Sequence, residues 1–380
     1  MNNSAFAEQN EELRAFNDMA HSFAKKELAA RVHEYEFPYE IEIAGVVETA
    51  RETGLFGINL PMDWGGTGLN AAALSGILKE ISAVDAGMAG VLFTHAAALG
   101  IIATAAESDQ ENCRSIYQLA SSPEGTPLAF QSYNSPEESD LPEVVGEDKY
   151  LMSGRLSLLV LGGMARYAVA AGARNGGKGY SYYLIDLAGE GVTKSGPILT
   201  LGFQSCQAVD IDLKDVPAML IGSEGKGESY FEQMQGSMSL PGAAISLGIM
   251  EGSFKEALDY AGERYQGGRN IVDWSAVRMK LAEMAIGVEV GNSCLFGIRC
   301  AWDSNSTNKD RSALAAAIHL GDLACSIASE GVQLLGGNGY MKDYGQEKRM
   351  RDARQARSLL GMIGLKKMNY IERIIGEAKV

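Results

Sequence analysis

The chain has 380 residues, of which 46% are hydrophobic, 21% are charged and 45 are glycine, and its formal net charge at pH 7 is −15. This length allows two or three domains around a sizeable core, and the negative charge argues against binding to nucleic-acid phosphates, which requires clustered Lys and Arg. The five cysteines form no CxxC pair and the four histidines form no HxH or HExxH pair. We therefore expect a reducing, cytoplasmic compartment and no metal site.

The N-terminal third is predicted to be helical. Apolar residues recur at helical spacing over residues 11–30 and 41–53, and residues 86–106 form a third stretch rich in Ala and Gly. That stretch is long enough to cross a bilayer, but it gains little from lipid and has no flanking Lys or Arg. We expect a helix buried inside the protein, and no membrane span.

The middle of the chain, from about residue 125 to 222, changes to short β-type runs. These runs are separated by turns such as Arg174-Asn-Gly-Gly-Lys-Gly179, which favours an antiparallel barrel or sandwich. The runs cover residues 128–130, 150–161, 167–173, 180–187, 198–201 and 208–213.

Long amphipathic patterns return after about residue 226. Four helices are predicted, over residues 230–263, 272–303, 310–335 and 353–377. The order of elements predicts an α+β protein in which two helical-bundle domains flank a small antiparallel β-barrel domain. The predicted domains are an N-terminal all-α domain (1–120), a middle β-domain (121–226) and a C-terminal helical bundle (227–380).

Three features outside the β-runs are candidates for ligand binding or for charge pairing. Gly336-Gly-Asn-Gly339 follows a predicted helix; it is a candidate phosphate nest, although on its own a helix stop is the better interpretation. Arg264 is either a pyrophosphate clamp or a solvated arginine at a helix end. The run Lys348-Arg-Met-Arg-Asp-Ala-Arg354 predicts the salt-bridged start of a helix.

Taken in order, these segments resemble the acyl-CoA dehydrogenase family over essentially the whole chain. The resemblance is strongest in GLFGINLPMDWGGTGL (54–69), in Glu263-Arg264 with Gly268 and Ile271, and in GVQLLGGNGYMKDY (331–344) with Arg351-Asp-Ala-Arg354. It implies an FAD enzyme that removes a Cα proton and a Cβ hydride from an acyl-CoA thioester. It also implies that the electrons pass to an electron-transferring flavoprotein.

The resemblance places the catalytic carboxylate at one of two positions, and neither holds a carboxylate here. Most members have the base after the Arg-Asp-Ala motif, at the position of Leu360 in this chain. A subgroup has it on the helix before a Gly-Leu/Ile-Met segment, at or near Met238. No Glu lies between Glu232 and Glu251. Leu and Met accept no proton, so we predict no catalytic base in this chain.

The flavin contacts implied by the resemblance fall into two groups. The segments that hold the flavin ring within one subunit correspond to residues 133–135 and 158–160, which lack most of the family's polar donors and its Trp. Near the conserved arginine, Gly267 and Ser275 replace a Phe and a Gln. Four groups that reach the FAD of a neighbouring subunit are kept: Arg264, Gln333, Gly336 and Gly337.

This pattern predicts the non-catalytic subunit of a heteromeric acyl-CoA dehydrogenase, which shares FAD with a paralogous partner subunit. One alternative is a self-sufficient enzyme whose reaction needs no carboxylate base, such as elimination, desulfination or hydration. Another is a flavin-free acyl-CoA binding or scaffold protein. A third is an ordinary dehydrogenase whose base is Glu232 or Glu251, although exposed Glu residues are more often solvated helix positions.

Overall fold

The computed structural model describes residues 3–39, 41–58, 62–64, 66–107, 109–120, 122, 127–147, 149–304 and 306–377. Residues 59–61 and 65 of the family-like segment 54–69 lie outside this part. The N-terminal region contains five α-helices: α1 (Asn3–Phe23), α2 (Ala44–Glu52), α3 (Ala71–Ser82), α4 (Ala86–Ala105) and α5 (Gln110–Ala120). A π-helical turn, Ala24–Leu28, extends α1. Side chains of Asn70 and Asp85 accept backbone N–H groups and so fix the starts of α3 and α4.

Six strands form the middle sheet, in the spatial order β2-β1-β3-β4-β6-β5, and an additional pairing of β2 with β6 closes it into a barrel. Five of the neighbouring pairs are antiparallel, whereas β1 and β3 are parallel. The predicted small β-barrel is confirmed, but its β1–β3 pair is parallel rather than antiparallel, because the chain reverses direction twice between these strands. The strands are β1 (Glu143–Val145), β2 (Tyr150–Val160), β3 (Tyr167–Arg174), β4 (Ser181–Asp186), β5 (Val192–Lys194) and β6 (Ala208–Ile221).

Two predicted strands are reduced to isolated bridges. In the run 128–130, Ala129 and Phe130 each form a single bridge, and in the run 198–201 only Ile198 does so. The strand that pairs with β6 in this part of the chain is β5, which ends at Lys194, shortly before the run 198–201.

The C-terminal region contains five helices and a two-stranded hairpin. The predicted helix 353–377 is in fact two helices, because Leu360 has a φ of +59° and Gly361 a φ of +119°, which no helix accommodates. The elements are α6 (Gly227–Glu263), β7 (Tyr265–Gln266), β8 (Arg269–Asn270), α7 (Ser275–Asp303), α8 (Lys309–Leu335), α9 (Gln346–Ala356) and α10 (Ile363–Glu377).

Three helical segments are long and apolar enough to cross a membrane by length and composition: Ala86–Ala105, Ser275–Trp302 and Lys309–Tyr340. In the most apolar window of the first, 89% of the residues are buried inside the protein. This helix packs against α3, α5 and α6, as expected for a buried core helix.

Candidate cofactor-binding site

The two positions predicted for the missing base, Leu360 and Met238, line the same small cavity beside α6. Its volume is about 20 Å³, which is room for a single water molecule. No carboxylate is among its lining residues. The others are Phe93, Gln235, Ser239, Gly242, Ala317, Ala356, Leu359 and Lys366.

The two alternative carboxylates do not reach this cavity. Glu232 is exposed on α6. Glu251 accepts hydrogen bonds from Lys79 Nζ at 3.2 Å and Asn292 Nδ2 at 2.8 Å. Glu251 therefore helps to hold α6 against α3 and α7, and neither residue is placed to serve as a base in the cavity.

Polar groups around Leu360 bond to other groups of the chain itself. The backbone N–H of Leu360 donates to the carbonyl of Ser132 at 2.8 Å, and its own carbonyl accepts from Gln235 Nε2 at 3.1 Å. The ammonium of Lys366 donates to the carbonyls of Arg357 at 2.8 Å and Leu359 at 3.0 Å. We call Leu360, Ser132, Gln235 and Lys366 the interior joint, because they connect the barrel, α6 and the turn after α9.

The segments that correspond to the ring-binding side are likewise used internally. The hydroxyl of Tyr133 donates to the carbonyl of Cys206 at 2.7 Å, and burial raises the pKa of Tyr133 well above its ordinary value. The hydroxyls of Ser132 and Thr94 bond to each other at 2.7 Å. The N–H of Leu158 donates to Asp210 at 3.0 Å. These groups are therefore committed to partners within the chain.

Arg264 has very different surroundings at the end of α6. Its backbone is held, because its N–H donates to Tyr260 and its carbonyl accepts from Ile271, both at 2.8 Å. Its side chain is exposed, and no residue in the described ranges pairs with its guanidinium. An unpaired guanidinium on a fixed backbone suits a phosphate or carboxylate ligand.

The glycine turn that ends α8 lies at the same end of the bundle. Gly336 has φ +59° and ψ −131°, a conformation that favours glycine, and its N–H donates to the carbonyl of Gln333. A Cβ at Gly336 or Gly337 would meet no atom within 4 Å, so both residues present open backbone. The amide of Asn338 donates to the hydroxyls of Tyr260 and Tyr344, each at 3.1 Å, which ties the turn to the end of α6.

We call Arg264, Gln333, Gly336 and Gly337 the exposed edge, since all four are exposed. The fold thus brings the four predicted contacts to one end of the helical bundle. It brings the two base positions together elsewhere, where both residues are buried.

Two models of acyl-CoA dehydrogenase domains match the chain, the N-terminal domain over residues 10–114 and the C-terminal domain over residues 230–375. The chain belongs to the acyl-CoA dehydrogenase family. Family members are oxidoreductases that act on acyl-CoA thioesters and bind FAD.

Relatives and solved structures agree with this membership. The chain is 28% identical over 369 residues to the caffeyl-CoA reductase-Etf complex subunit CarC of Acetobacterium woodii, covering 92% of this chain and 93% of the relative. It is 28% identical over 371 residues to an acyl-CoA dehydrogenase of Bacillus subtilis, covering 94% of each. The butyryl-CoA dehydrogenase of Megasphaera elsdenii has the same fold, with a TM-score of 0.86, 22% identity, and coverage of 96% of this chain and 98% of that chain.

The two regions of this acyl-CoA dehydrogenase homologue fit FAD differently. The interior joint does not fit a flavin ring, since the cavity at the base positions has room only for water. The exposed edge fits the phosphate-bearing half of the cofactor, because an unpaired guanidinium and open glycine backbone are suitable donors for a pyrophosphate.

The predicted salt-bridged helix start at residues 348–354 is confirmed, and part of it is deeply buried. Lys348 Nζ lies 2.9 Å from Asp85, 2.6 Å from Asp352 and 3.9 Å from Glu36. All four residues are at most 2% exposed. Burial alone would lower the pKa of Lys348, but the three carboxylates outweigh it and raise that pKa. Asp352 also accepts the N–H of Phe203 at 2.7 Å, so this network connects α4, α9 and the barrel.

A possible metal-binding group lies beside this network. Ligand atoms of His33, Glu36 and Glu347 lie within 4.8 Å of one another, a grouping that their sequence separation did not predict. Both carboxylates, however, form two hydrogen bonds each to Arg351, at 2.7–3.0 Å. A cation would have to displace this guanidinium, so the group is better described as an ion-pair network.

Sequence reasoning missed Gln235, Lys366 and Trp274. Gln235 and Lys366 both have other polar residues close by in the sequence, such as Gln233 and Lys367, so no local signal marks them as buried partners. Trp274 also lacks such a signal. Its indole contacts Gly267 only through the folding of the hairpin.

Proposed function

We propose that this chain is the non-catalytic subunit of a heteromeric, cytoplasmic acyl-CoA dehydrogenase, with no membrane span and with domain boundaries near residues 120 and 226. A paralogous partner subunit would supply the base and the ring-binding pocket. This chain would supply Arg264, Gln333, Gly336 and Gly337 to the partner's FAD. The observation that supports this most directly is the contrast between a cavity of the size of one water molecule, with no carboxylate beside Leu360 and Met238, and an Arg264 guanidinium with no partner among the described residues.

In such an assembly, FAD bound in the partner's pocket would supply the acceptor for the substrate's Cβ hydride. The residues of this chain would hold the cofactor rather than react. The guanidinium of Arg264 would bind the pyrophosphate by charge-assisted hydrogen bonds, and the open backbone at Gly336 and Gly337 would let the nucleotide approach closely. The small cavity at the interior joint would exclude the acyl substrate from this chain's own centre.

The electron acceptor in this proposal is an electron-transferring flavoprotein. The Acetobacterium relative is a subunit of a caffeyl-CoA reductase-Etf complex, which supports the same kind of partner here. The acyl-CoA substrate would bind in the partner subunit.

The test is to purify a tagged chain from its native cells and to measure its partners and its FAD. We expect a paralogous chain of similar length with a Glu-Gly-Thr segment, and half as many FAD molecules as chains. Arg264→Ala should weaken FAD retention by about tenfold or more, because a charged hydrogen-bonding partner is lost. Arg155→Ala, which removes an exposed barrel arginine paired with Asp210, is the matched control and should retain FAD.

Other outcomes separate the alternatives. A homotetramer of this chain that binds a full complement of FAD and turns over an acyl-CoA would identify a self-sufficient enzyme. A chain that binds acyl-CoA with no flavin, even beside its partner, would identify a scaffold. Either result would overturn the proposal.

A further inference from the structure

A second cavity lies in the N-terminal region, between the end of α1 and the start of α2. Its volume is about 430 Å³, within the range of about 300–1,000 Å³ that is usual for small-molecule pockets. Its lining comes from within residues 26–31, from Tyr35 and from within residues 41–49. The cavity shares no residue with the interior joint or with the exposed edge.

A π-helical turn forms one wall of this cavity. In the turn Ala24–Leu28, which extends α1, the N–H of Ala29 donates to the carbonyl of Ala24 at 3.1 Å, five residues back. Such turns are rare in proteins and frequently lie at functional sites. Lys26 and Glu27 belong to this turn and line the cavity, and their side chains pair with each other at 3.0 Å. The charges of these two residues therefore offset each other within the wall.

Two further charges line the cavity from its two sides. Arg31 lies on the α1 side, and Glu42 lies just before α2; both are exposed. Nε of Arg31 lies 3.8 Å from the carboxylate of Glu34, which is too far for a hydrogen bond. None of the residues that the structure describes bonds to the carboxylate of Glu42. The cavity therefore offers a cation and an anion whose hydrogen-bonding groups are available to a ligand.

The surface between these two charges is apolar. The side chains of Tyr35 and Val46 are buried beneath the cavity, and Ile41 lines it beside them. Gly45 also lines the cavity, and a Cβ at this position would meet no atom within 4 Å. A molecule that matches this lining has one anionic group, one cationic group and an apolar body.

We propose that this cavity binds a free α-amino acid with an apolar side chain. Arg31 binds the carboxylate of the ligand by charge-assisted hydrogen bonds, Glu42 accepts from its ammonium group, and its side chain packs on Tyr35 and Val46. A simple carboxylic acid would leave Glu42 without a counter-charge, and a simple amine would leave Arg31 without one. This inference goes beyond the proposed function and does not depend on it.

The experiment measures binding by titration calorimetry to the full chain as purified from its native cells. L-phenylalanine and L-leucine should bind, and L-serine, which has the same charges but no apolar body, should bind about tenfold more weakly. Phenylpropionate lacks the ammonium group and phenylethylamine lacks the carboxylate. Each should bind about tenfold more weakly than L-phenylalanine, because one charged hydrogen-bonding partner is lost.

Two variants assign the charged groups of the site. Arg31→Gln should weaken binding of L-phenylalanine by about tenfold and leave that of phenylethylamine unchanged, since phenylethylamine has no carboxylate. Glu42→Gln should weaken binding of L-phenylalanine by about the same factor and should not weaken that of phenylpropionate. Glu48→Gln is the matched control, because Glu48 lies on α2 outside the lining and pairs with Arg51; it should bind L-phenylalanine as the parent does.

Three results would overturn the inference. They are the absence of binding by both L-phenylalanine and L-leucine, equal affinities for L-phenylalanine and its two singly charged analogues, and unchanged affinity for L-phenylalanine in Arg31→Gln or Glu42→Gln. A urea midpoint equal to that of the parent shows that each variant is folded. The comparison of the three phenyl compounds uses only the parent chain, so it decides the question even if a variant is unstable.

Discussion

The interior joint and the exposed edge use polar groups in opposite ways. Around Leu360 the polar groups bond to the chain itself, and the cavity left over holds about 20 Å³. At the edge, the hydrogen bonds of Arg264 to other described residues are all made by its backbone, and Gly336 and Gly337 have open space where a side chain would be. A group with a partner in its own chain supports folding, whereas an exposed group without one is available to a ligand.

The same contrast predicts which substitutions destabilise the fold and which weaken cofactor retention. Substitutions in the buried polar interior should lower the free energy of unfolding, because they leave desolvated groups without partners. Substitutions at the exposed edge should leave that free energy nearly unchanged and act on cofactor retention. Three measurements test this rule, beginning with the largest expected effect.

Lys348→Met should give the largest loss of stability. The substitution leaves Asp85, Asp352 and Glu36 buried without their shared cation, and breaking a buried ion pair in this way costs about 3–5 kcal/mol. Urea unfolding measures the change. Lys255→Met, in an exposed pair with Asp259, should cost less than about 1 kcal/mol; equal losses in the two variants would refute the distinction.

Acid should destabilise the interior through His95. Its Nδ1 accepts the N–H of Leu128 at 3.0 Å, and burial lowers its pKa to about 3, although a hydrogen bond to the Phe56 backbone opposes this. The unfolded chain takes up a proton below about pH 6.5 and the folded chain does not. His95 therefore does not reduce the free energy of unfolding above about pH 6.5. Below that pH, it lowers this free energy by about 1.4 kcal/mol per pH unit down to about pH 3.

Unfolding free energies at pH 7 and pH 5 test this prediction. His95→Gln removes the titrating group, so its pH slope should be smaller than that of the parent whatever its stability at pH 7. Parallel slopes in the two proteins would show that His95 contributes nothing to acid sensitivity.

The smallest effects are expected from two matched glutamine substitutions, one in the interior joint and one at the exposed edge. Gln235→Leu removes the donor to the buried Leu360 carbonyl and should cost about 1–3 kcal/mol. Gln333→Leu makes the same chemical change at the exposed edge and should alter stability by less than about 0.5 kcal/mol. If Gln333→Leu were the more destabilising, the edge would be a packing surface rather than a ligand surface.

The long C-terminal helices could be predicted because their amphipathic period is sustained. The patterns at 230–263, 272–303 and 310–335 correspond closely to α6, α7 and α8. The helix α3 was not predicted; it has only twelve residues, nine of them buried, and is much shorter than α6, α7 and α8. The break after α9 contains Gly361, a local signal for a helix end, but the hydrogen bond that holds Leu360 there is accepted by Ser132, which is far away in sequence.

The candidate site was predictable only in part. The family resemblance pointed to Leu360, Met238 and the four edge residues, but not to the small cavity between α6 and the turn after α9. That cavity depends on Gln235 and Lys366, whose partners are backbone carbonyls and leave no trace in sequence spacing. Likewise, Gly267 looked like a simple loss of an aromatic residue until Trp274 was found against it.

The amide of Asn338 has a consequence for how binding could be detected. It connects the glycine turn to Tyr260 on α6 and to Tyr344, just before α9, and α9 contains Lys348. A nucleotide bound at the edge would favour the arrangement in which these contacts are intact. Because a ligand that binds only the folded state raises its stability, occupancy of a surface site should be measurable as a higher melting temperature of the whole chain.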